Sequence, residues 1–389
     1  MKTKNHCSAH PEKTADSPVD QQLVTLAREE LLRWFRGHAR DFPWRRTRDP
    51  YAIWVSEIML QQTTTQVVEP YFRRFLERFP TLESLASADE SDVLKIWEGL
   101  GYYRRAQNLH KTARILRTEF GGQFPRDPAV LMRLPGIGRY TAGAILSLAF
   151  NQCVPILEAN TRRLFRRWLG GFNDGTPLSD RVLWQVAEMF LAPRRARRIN
   201  LALMDVGSVI CLPKAPLCEQ CPLQSTCQTF QNRLPVEQSS QKRQSYTLRH
   251  EVAFVVVWKQ RLLVQRRSEG RWAGLWEFPR ILLQEGGCDV PTPEQIALPE
   301  LVRQTGLFAG LEPLSGHHFA RLRHQVTRFR IVLDGFLIRV SGKAKPHHSD
   351  GQSELAWMTL DALEGLPMPA PIRRMLRPLR SALGSNCFD

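Results

Sequence analysis

From Gln22 to about Phe230 the apolar residues recur at intervals of three and four, as in "LVTLAREELLRWF" and "VLKIWEGL", with Pro or Gly between segments. That period predicts a series of amphipathic helices. The pattern breaks between Gln231 and Arg249, where "QNRLPVEQSSQKRQSYTLR" is polar, rich in Gln and Ser, and reads as a linker. Beyond it, "VAFVVVW", a "KQR" turn and "LLVQRR" predict a β-hairpin; "PEQIALPELVRQTG" predicts a helix, and "QVTRFRIVLDGFLIRV" a further strand. The polar opening, "MKTKNHCSAHPEKTADSPVD", predicts a disordered tail over residues 1–21. The expected organisation is an all-α domain (22–230), a linker (231–249) and a smaller α/β domain (250–380), with no internal repeat.

Composition sharpens this. A chain of 389 residues exceeds one ordinary domain, and 43% hydrophobic residues can bury real cores. The formal charge of +16 favours a polyanionic partner, of which nucleic acid is the commonest. No apolar run approaches membrane-spanning length, and the opening lacks the apolar core of a signal peptide. A reducing cytoplasm or nucleus is therefore expected, with the 8 cysteines as thiols rather than disulfides, and no membrane partner.

Four of those cysteines crowd one loop. "CLPKAPLCEQCPLQSTC" holds Cys211, Cys218, Cys221 and Cys227, which implies a metal centre. Zinc is the generic choice, but its four-cysteine sites usually join two separated CxxC pairs. Here there is a single CxxC, and all four ligands share one loop, as in some iron–sulfur proteins. The spacing C-x6-C-x2-C-x5-C resembles the 4Fe–4S loop of the endonuclease III-like DNA glycosylases. Upstream, "LPGIGRYTAGAIL" lies between two helical segments; Gly136 and Gly138 permit a tight turn whose N–H groups face outward at a helix start, a geometry suited to a phosphate. This stretch resembles the helix-hairpin-helix of the same superfamily, whose contacts position DNA without reading its sequence.

With "FPWRRTRDPYAIWVSEIMLQQT" and "GLGYYRRAQNLH", the resemblance narrows to the MutY-type adenine DNA glycosylases and covers nearly the whole chain after the tail. It implies a monomeric base-excision enzyme that removes adenine mispaired with 8-oxoguanine or guanine in double-stranded DNA, working in a bacterial nucleoid or a nucleus. Superfamily members that also cut the strand carry a Schiff-base lysine where this chain has Tyr140, so the expected product is an abasic site in an intact strand. The resemblance also implies that Glu57 is the acid. The residues agree: Glu57 stands four after Ile53, three after Trp54 and three before Leu60, which puts a carboxyl group on an apolar helix face, where burial keeps it protonated.

Adenine is a poor leaving group until it is protonated, and its departure leaves positive charge on the sugar. A second, ionised carboxylate then stabilises that cation. Glu158 in "PILEANTRR" is the candidate; its position corresponds to the Asp of the family's "LDGN" motif and is followed by the matching Asn160. The chain departs from the motif in reading "LEAN". Tyr140 is expected to orient the site by hydrogen bonding, and the arginines beyond Glu158 to face phosphates. The resemblance further implies that Gln61 and Tyr102 fill the space left by the flipped nucleotide, and that Arg45 and Trp54 line the adenine pocket. "PRRARR" (193–198) reads either as a phosphate contact or as a solvated basic face.

The α/β part resembles the MutT-like (Nudix-type) domain of the same family, through "GRWAGLWEFPR". It lacks the glutamate-rich box that holds magnesium in Nudix hydrolases, so nucleotide hydrolysis is not expected. The family reads 8-oxoguanine with an "FSH" strand tip; here Val326, Thr327 and Arg328 stand there, and the Thr327 hydroxyl replaces the serine. Two alternatives stay open: a glycosylase for other mispairs or oxidised pyrimidines on the same fold, and a lesion-binding protein weakened by the change at position 158.

Overall fold

The computed structural model describes residues 19–173, 176–236, 245–287, 289–304, 311–342 and 353–384. The chain divides into two compact units, one of Met1–Ser87 with Asn108–Ser240, the other of Ala88–Gln107 with Gln241–Asp389. Most of the expected tail (to residue 18) and the middle of the expected linker (237–244) lie outside the described residues.

The first unit is helical. Its helices are α1 (Gln21–His38), α2 (Pro50–Leu60), α3 (Thr65–Arg78) and α4 (Leu82–Ser87); α5 (Glu90–Trp97) falls in the second unit, and α6 (Arg104–Phe120) begins there. Then come α7 (Pro128–Leu131), α8 (Arg139–Ala144), α9 (Ala159–Trp168), α10 (Asp180–Met189), α11 (Ala196–Asp205) and α12 (Gln228–Gln231), with a short antiparallel pair, β1 (Phe172–Asn173) and β2 (Thr176–Pro177). Local chemistry sets the starts. Asp20 caps α1 by accepting from the Gln22 N–H, and Asp49 caps α2 by accepting from the Tyr51 and Ala52 N–H groups, with Pro50 at the first helical position. Whereas α1 buries one stripe (Val24, Ala27, Leu31, Phe35), every residue of α2 from Tyr51 to Met59 is buried. A helix enclosed on all sides belongs to the core, and any polar side chain on it needs a partner. The helices α8 and α11 run on into π-helical turns, Ile145–Ala149 and Val206–Ile210. Among the described residues no helix is long and apolar enough to cross a membrane.

The second unit is built on a mixed sheet of β3 (Thr247–Trp258), β4 (Arg261–Arg267), β5 (Trp276–Glu277), β6 (Arg280–Glu285), β7 (Leu311–Val326), β8 (Phe329–Gly342) and β9 (Ser353–Met358). The order is β5-β4-β3-β8-β7; β6 also pairs with β3 and β9 with β4, while β3 and β8 run parallel. Alternation splits β3 between two cores. Ala253, Val255 and Val257 pack with Ile372, Met375 and Leu379 of α15 (Ala370–Gly384), which follows α13 (Leu298–Gln304) and α14 (Leu360–Gly365); Val252, Phe254 and Val256 pack on the other face with Ile296 and Val302. The predicted hairpin forms with Lys259 and Gln260 as its two turn residues, both at positive φ. Sheet structure starts at Thr247, inside the expected linker. The stretch read as one strand is two: β7 and β8 meet at a two-residue turn, Thr327–Arg328, with Val326 paired to Phe329.

Candidate active site

Glu57 sits on the enclosed helix α2 with 2% exposure, and the Tyr140 hydroxyl donates to its Oε2 at 2.5 Å. Burial raises the Glu57 carboxyl above the ordinary carboxylate range; the Tyr140 hydrogen bond and the nearby Arg45 charge lower it part of the way, and Glu158 raises it. The Tyr140 hydroxyl is in turn raised well above its usual value by burial and by the Glu57 charge, so it stays a donor. The carboxyl group and phenol form a proton-holding pair at one wall of a cavity of about 720 Å³, lined also by Arg45, Gln61, Glu158 and Asn160.

Glu158 reaches that cavity as the N-cap of α9. Its Oε2 accepts from the Asn160 N–H at 2.8 Å and its Oε1 from the Thr161 N–H at 3.0 Å. The Thr161 hydroxyl accepts from the Glu158 N–H at 2.8 Å, which closes a reciprocal capping box. The carboxylate therefore stands at the positive end of the helix dipole, held by two backbone donors. A glutamate can fill this place because both of its oxygens reach backbone amides. The preceding segment comes close to α8: a Cβ at Gly143 would lie 2.5 Å from the Pro155 carbonyl oxygen, so only glycine lets the two approach.

Behind this wall lies a group that periodicity did not single out. Asp205, fully buried at the end of α11, takes both Arg45 Nη atoms at 2.8 Å each and Arg40 Nε at 2.7 Å. Arg45 is thus fixed by a carboxylate rather than free to bind. The signal was present: Asp205 is a lone acid in the apolar run "LALMDVGSVI", the same mark that agreed with the reading of Glu57. Both π-helical turns adjoin this region, one after Tyr140 and one after Asp205, a backbone irregularity often found at functional sites.

Other expected site residues fall elsewhere. Trp54 does not line the cavity; it is fully buried, its ring 5.5 Å edge-on from Phe124, because α2 is enclosed on every side. Of the arginines after Glu158, Arg163 and Arg167 turn inward to backbone carbonyls, while Arg162 and Arg166 stay partly exposed beside Asp180. Arg162 pairs with Asp180 at 3.1 Å, Arg163 binds Asn160 Oδ1 at 2.9 Å and the Gly207 and Cys211 carbonyls, and Arg167 binds those of Leu212 and Pro213. In the 193–198 segment, Arg197 bonds inward to the Arg45 and Thr47 carbonyls. The Gly136–Gly138 turn is exposed, and its first helical turn has no side-chain cap; Gly136 has φ +77° and a Cβ there would meet Asn108 Cβ at 2.9 Å. Tyr102, in the second unit, is 48% exposed at φ +47°, and Thr327 is exposed at the tip of the β7–β8 hairpin.

Cys211, Cys218, Cys221 and Cys227 are free thiols that line one small cavity with Arg167, Trp168 and Leu223. Arg167 Nη1 lies 3.5 Å from Cys211 Sγ. Among the described residues no three His, Cys, Asp or Glu side chains converge as a single-ion site requires. Cys153 is disulfide-bonded, against the expectation of uniformly reduced cysteines.

Two family models match the chain: HhH-GPD superfamily base excision DNA repair protein over residues 55–189, and NUDIX domain over residues 252–377. The adenine DNA glycosylase of Rattus norvegicus is 35% identical over 94% of this chain and 80% of its own. That of Buchnera aphidicola subsp. Schizaphis graminum is 37% identical over 64% of this chain and 73% of its own. Among solved structures, a thermostable thymine-DNA glycosylase is 32% identical with a TM-score of 0.51, over 54% of this chain and 98% of its own. With the Nudix-type half present and similarity to the rat enzyme running through both, the chain belongs to the adenine DNA glycosylase family.

Proposed function

We propose that this enzyme acts on adenine paired with 8-oxoguanine, or with guanine, and that Glu57, Tyr140, Glu158 and Asn160 carry the chemistry. The observation that supports this most is the pairing of two differently held carboxyl groups at one cavity: Glu57 buried and bonded by a phenol, Glu158 capping a helix. In this reading the flipped adenine enters the cavity and Glu57 gives its proton to N7. The C1′–N9 bond then breaks with its electron pair going to the base, and Glu158 faces the oxocarbenium charge on the sugar. Water adds to C1′, its proton passing to a carboxylate, and an abasic site remains. Tyr140 offers no amine for a Schiff base, so the strand stays whole. Asn160, tied to Arg163, holds the sugar side of the site, and Asp205 holds Arg45 at the wall.

The uncapped α8 start at Gly136–Gly138 grips a DNA phosphate, Gln61 and Tyr102 occupy the gap in the duplex, and Thr327 meets the opposite base. The four cysteines fit a 4Fe–4S cluster: all are free, share one cavity, and have an arginine within reach of a sulfur. Such a cluster, when bound, would be held by the four thiolates and so join the loop at four points. The test is a single-turnover assay on A:8-oxoguanine, A:G and T:G duplexes, followed by alkali. Adenine release with alkali-dependent strand breakage is expected. Release of thymine in preference would favour the reading that the likeness to a thymine-DNA glycosylase suggests.

A further inference from the structure

The short segment Ala88–Gln107 belongs to the unit otherwise made by the C-terminal residues, although it lies between two stretches of the helical unit in sequence. Side-chain bonds tie the segment to that unit. Arg373 on α15 makes a two-pronged bond to Glu98, Nε to Oε1 at 2.7 Å and Nη2 to Oε2 at 2.9 Å. The same guanidinium donates to the Glu364 carbonyl at 3.0 Å and to that of Leu366. Lys95 Nζ donates to the Glu364 and Leu366 carbonyls at 2.7 and 3.1 Å, and the Tyr103 hydroxyl to the Met368 carbonyl at 3.3 Å. A planar, paired Arg–carboxylate contact of this kind fixes orientation as well as distance.

Between these two anchors, Glu98 and Tyr103, runs the loop that presents Tyr102. It turns through positive φ at Gly99, Gly101 and Tyr102. Its carbonyls are held from within: Trp97 Nε1 donates to Gly101 at 3.1 Å, and Arg105 Nη2 to Leu100 at 3.2 Å and Gly101 at 3.3 Å. The Arg105 guanidinium also lies over the Tyr102 ring at 5.5 Å. A non-glycine residue at positive φ, such as Tyr102, persists where the surrounding structure over-determines it, and the bonds at both loop ends add to those made within the loop.

We infer that Arg373 is a positioning residue for base flipping: through Glu98 it fixes the Tyr102 loop to the Nudix-type body, so the unit bearing the Thr327 tip also carries the side chain that enters the duplex. The inference rests on the proposed role of Tyr102. Reading the base opposite and holding the gap open then become one rigid event rather than two.

The test uses full-length protein with rates normalised to active fraction. Arg373→Ala and Glu98→Gln should each slow single-turnover excision opposite 8-oxoguanine about tenfold. They should also lower the fluorescence rise of 2-aminopurine placed beside the target adenine. Tyr102→Ala should do the same, and Tyr102→Ala with Arg373→Ala should be no slower than Tyr102→Ala alone, since both act on one side chain. Should Arg373→Ala fail to fold, the Glu98→Gln pair with Tyr102→Ala carries the same comparison. Losses that multiply in the double variant, or clamp variants within twofold of wild type while Tyr102→Ala is slow, would overturn the positioning role alone. Wild-type rates from Tyr102→Ala would overturn the wedge reading and this inference with it.

Discussion

A carboxyl group that must deliver a proton near neutrality has to be kept from water, and one that must stay negative has to be given donors. Glu57 meets the first need by burial on α2, and Glu158 the second by capping α9. Excision should therefore decline on the alkaline side as Glu57 ionises, at a pH above the ordinary carboxylate range because burial raises this group. Tyr140→Phe removes a bond that lowers the Glu57 value, so the alkaline limb of its pH–rate profile should move higher; a limb that moves lower would contradict the assignment. The same shift bears on stability. The folded chain holds this proton more tightly than the unfolded one, so the Glu57 contribution is most favourable below the unfolded carboxylate value and declines as pH rises through the folded value. Glu158→Gln should slow single-turnover excision by about a hundredfold or more, the usual effect of losing such a stabiliser. It also forfeits one of the two cap bonds, which costs about 1 kcal/mol in a melting experiment. Glu158→Asp, a preferred cap residue that keeps the charge, should be well above the Gln variant in rate. A Gln variant within a few-fold of wild type would leave Glu158 as a cap and no more.

At the scale of elements, α8 and the segment leading to α9 must come together for Tyr140 and Glu158 to share a cavity. Gly143 is where they nearly touch, since a Cβ there would collide with the Pro155 backbone oxygen, which cannot swing away as a side chain could. Gly143→Ala should therefore lower the melting temperature by several degrees, as overpacking of about 1–3 kcal/mol does, and slow excision in the protein that remains folded. Melting and excision unchanged from wild type would show that the two elements have slack. Sequence periodicity sufficed for helices such as α1, which buries one stripe at a 3.6-residue repeat, and the apolar runs around a short turn sufficed for the β3–β4 hairpin, although α2 and β3 are buried on every side. The burial of Glu57 was legible too, since its isolation among apolar neighbours is a local mark. Periodicity could not show the break at Thr327–Arg328, where a β-branched residue at φ +50° stands without the glycine or asparagine that announces a turn. Nor could it place Arg162, Arg163 and Arg167: a run of arginines looks the same whether it faces solvent or the carbonyls of a cysteine loop. The role of Asp205 as the anchor of Arg45 needed the partner, 160 residues away, to be seen.

For the whole molecule, the C-terminal half has a structural part besides the proposed reading of the opposite base, because Lys95, Glu98 and Tyr103 take their partners from it. Removing everything after Ser240 would strand those groups together with the Tyr102 loop. Such a truncation should slow excision opposite guanine as well as opposite 8-oxoguanine, and so it blurs the two tasks. A change at the hairpin tip separates them. Thr327 is exposed on the β7–β8 turn, away from the Glu98–Arg373 bonds in sequence and element, and its hydroxyl is the group proposed to meet the lesion. Thr327→Ala should leave excision opposite guanine near wild type while lowering the preference for 8-oxoguanine about fivefold, the worth of roughly 1 kcal/mol for one hydrogen bond. Alanine at φ +50° is no more strained than threonine, so a loss confined to the lesion duplex would report the hydroxyl and not the turn. Equal loss on both duplexes, or none on either, would remove the tip from lesion recognition and leave the Nudix-type unit with the positioning of Tyr102 as its task.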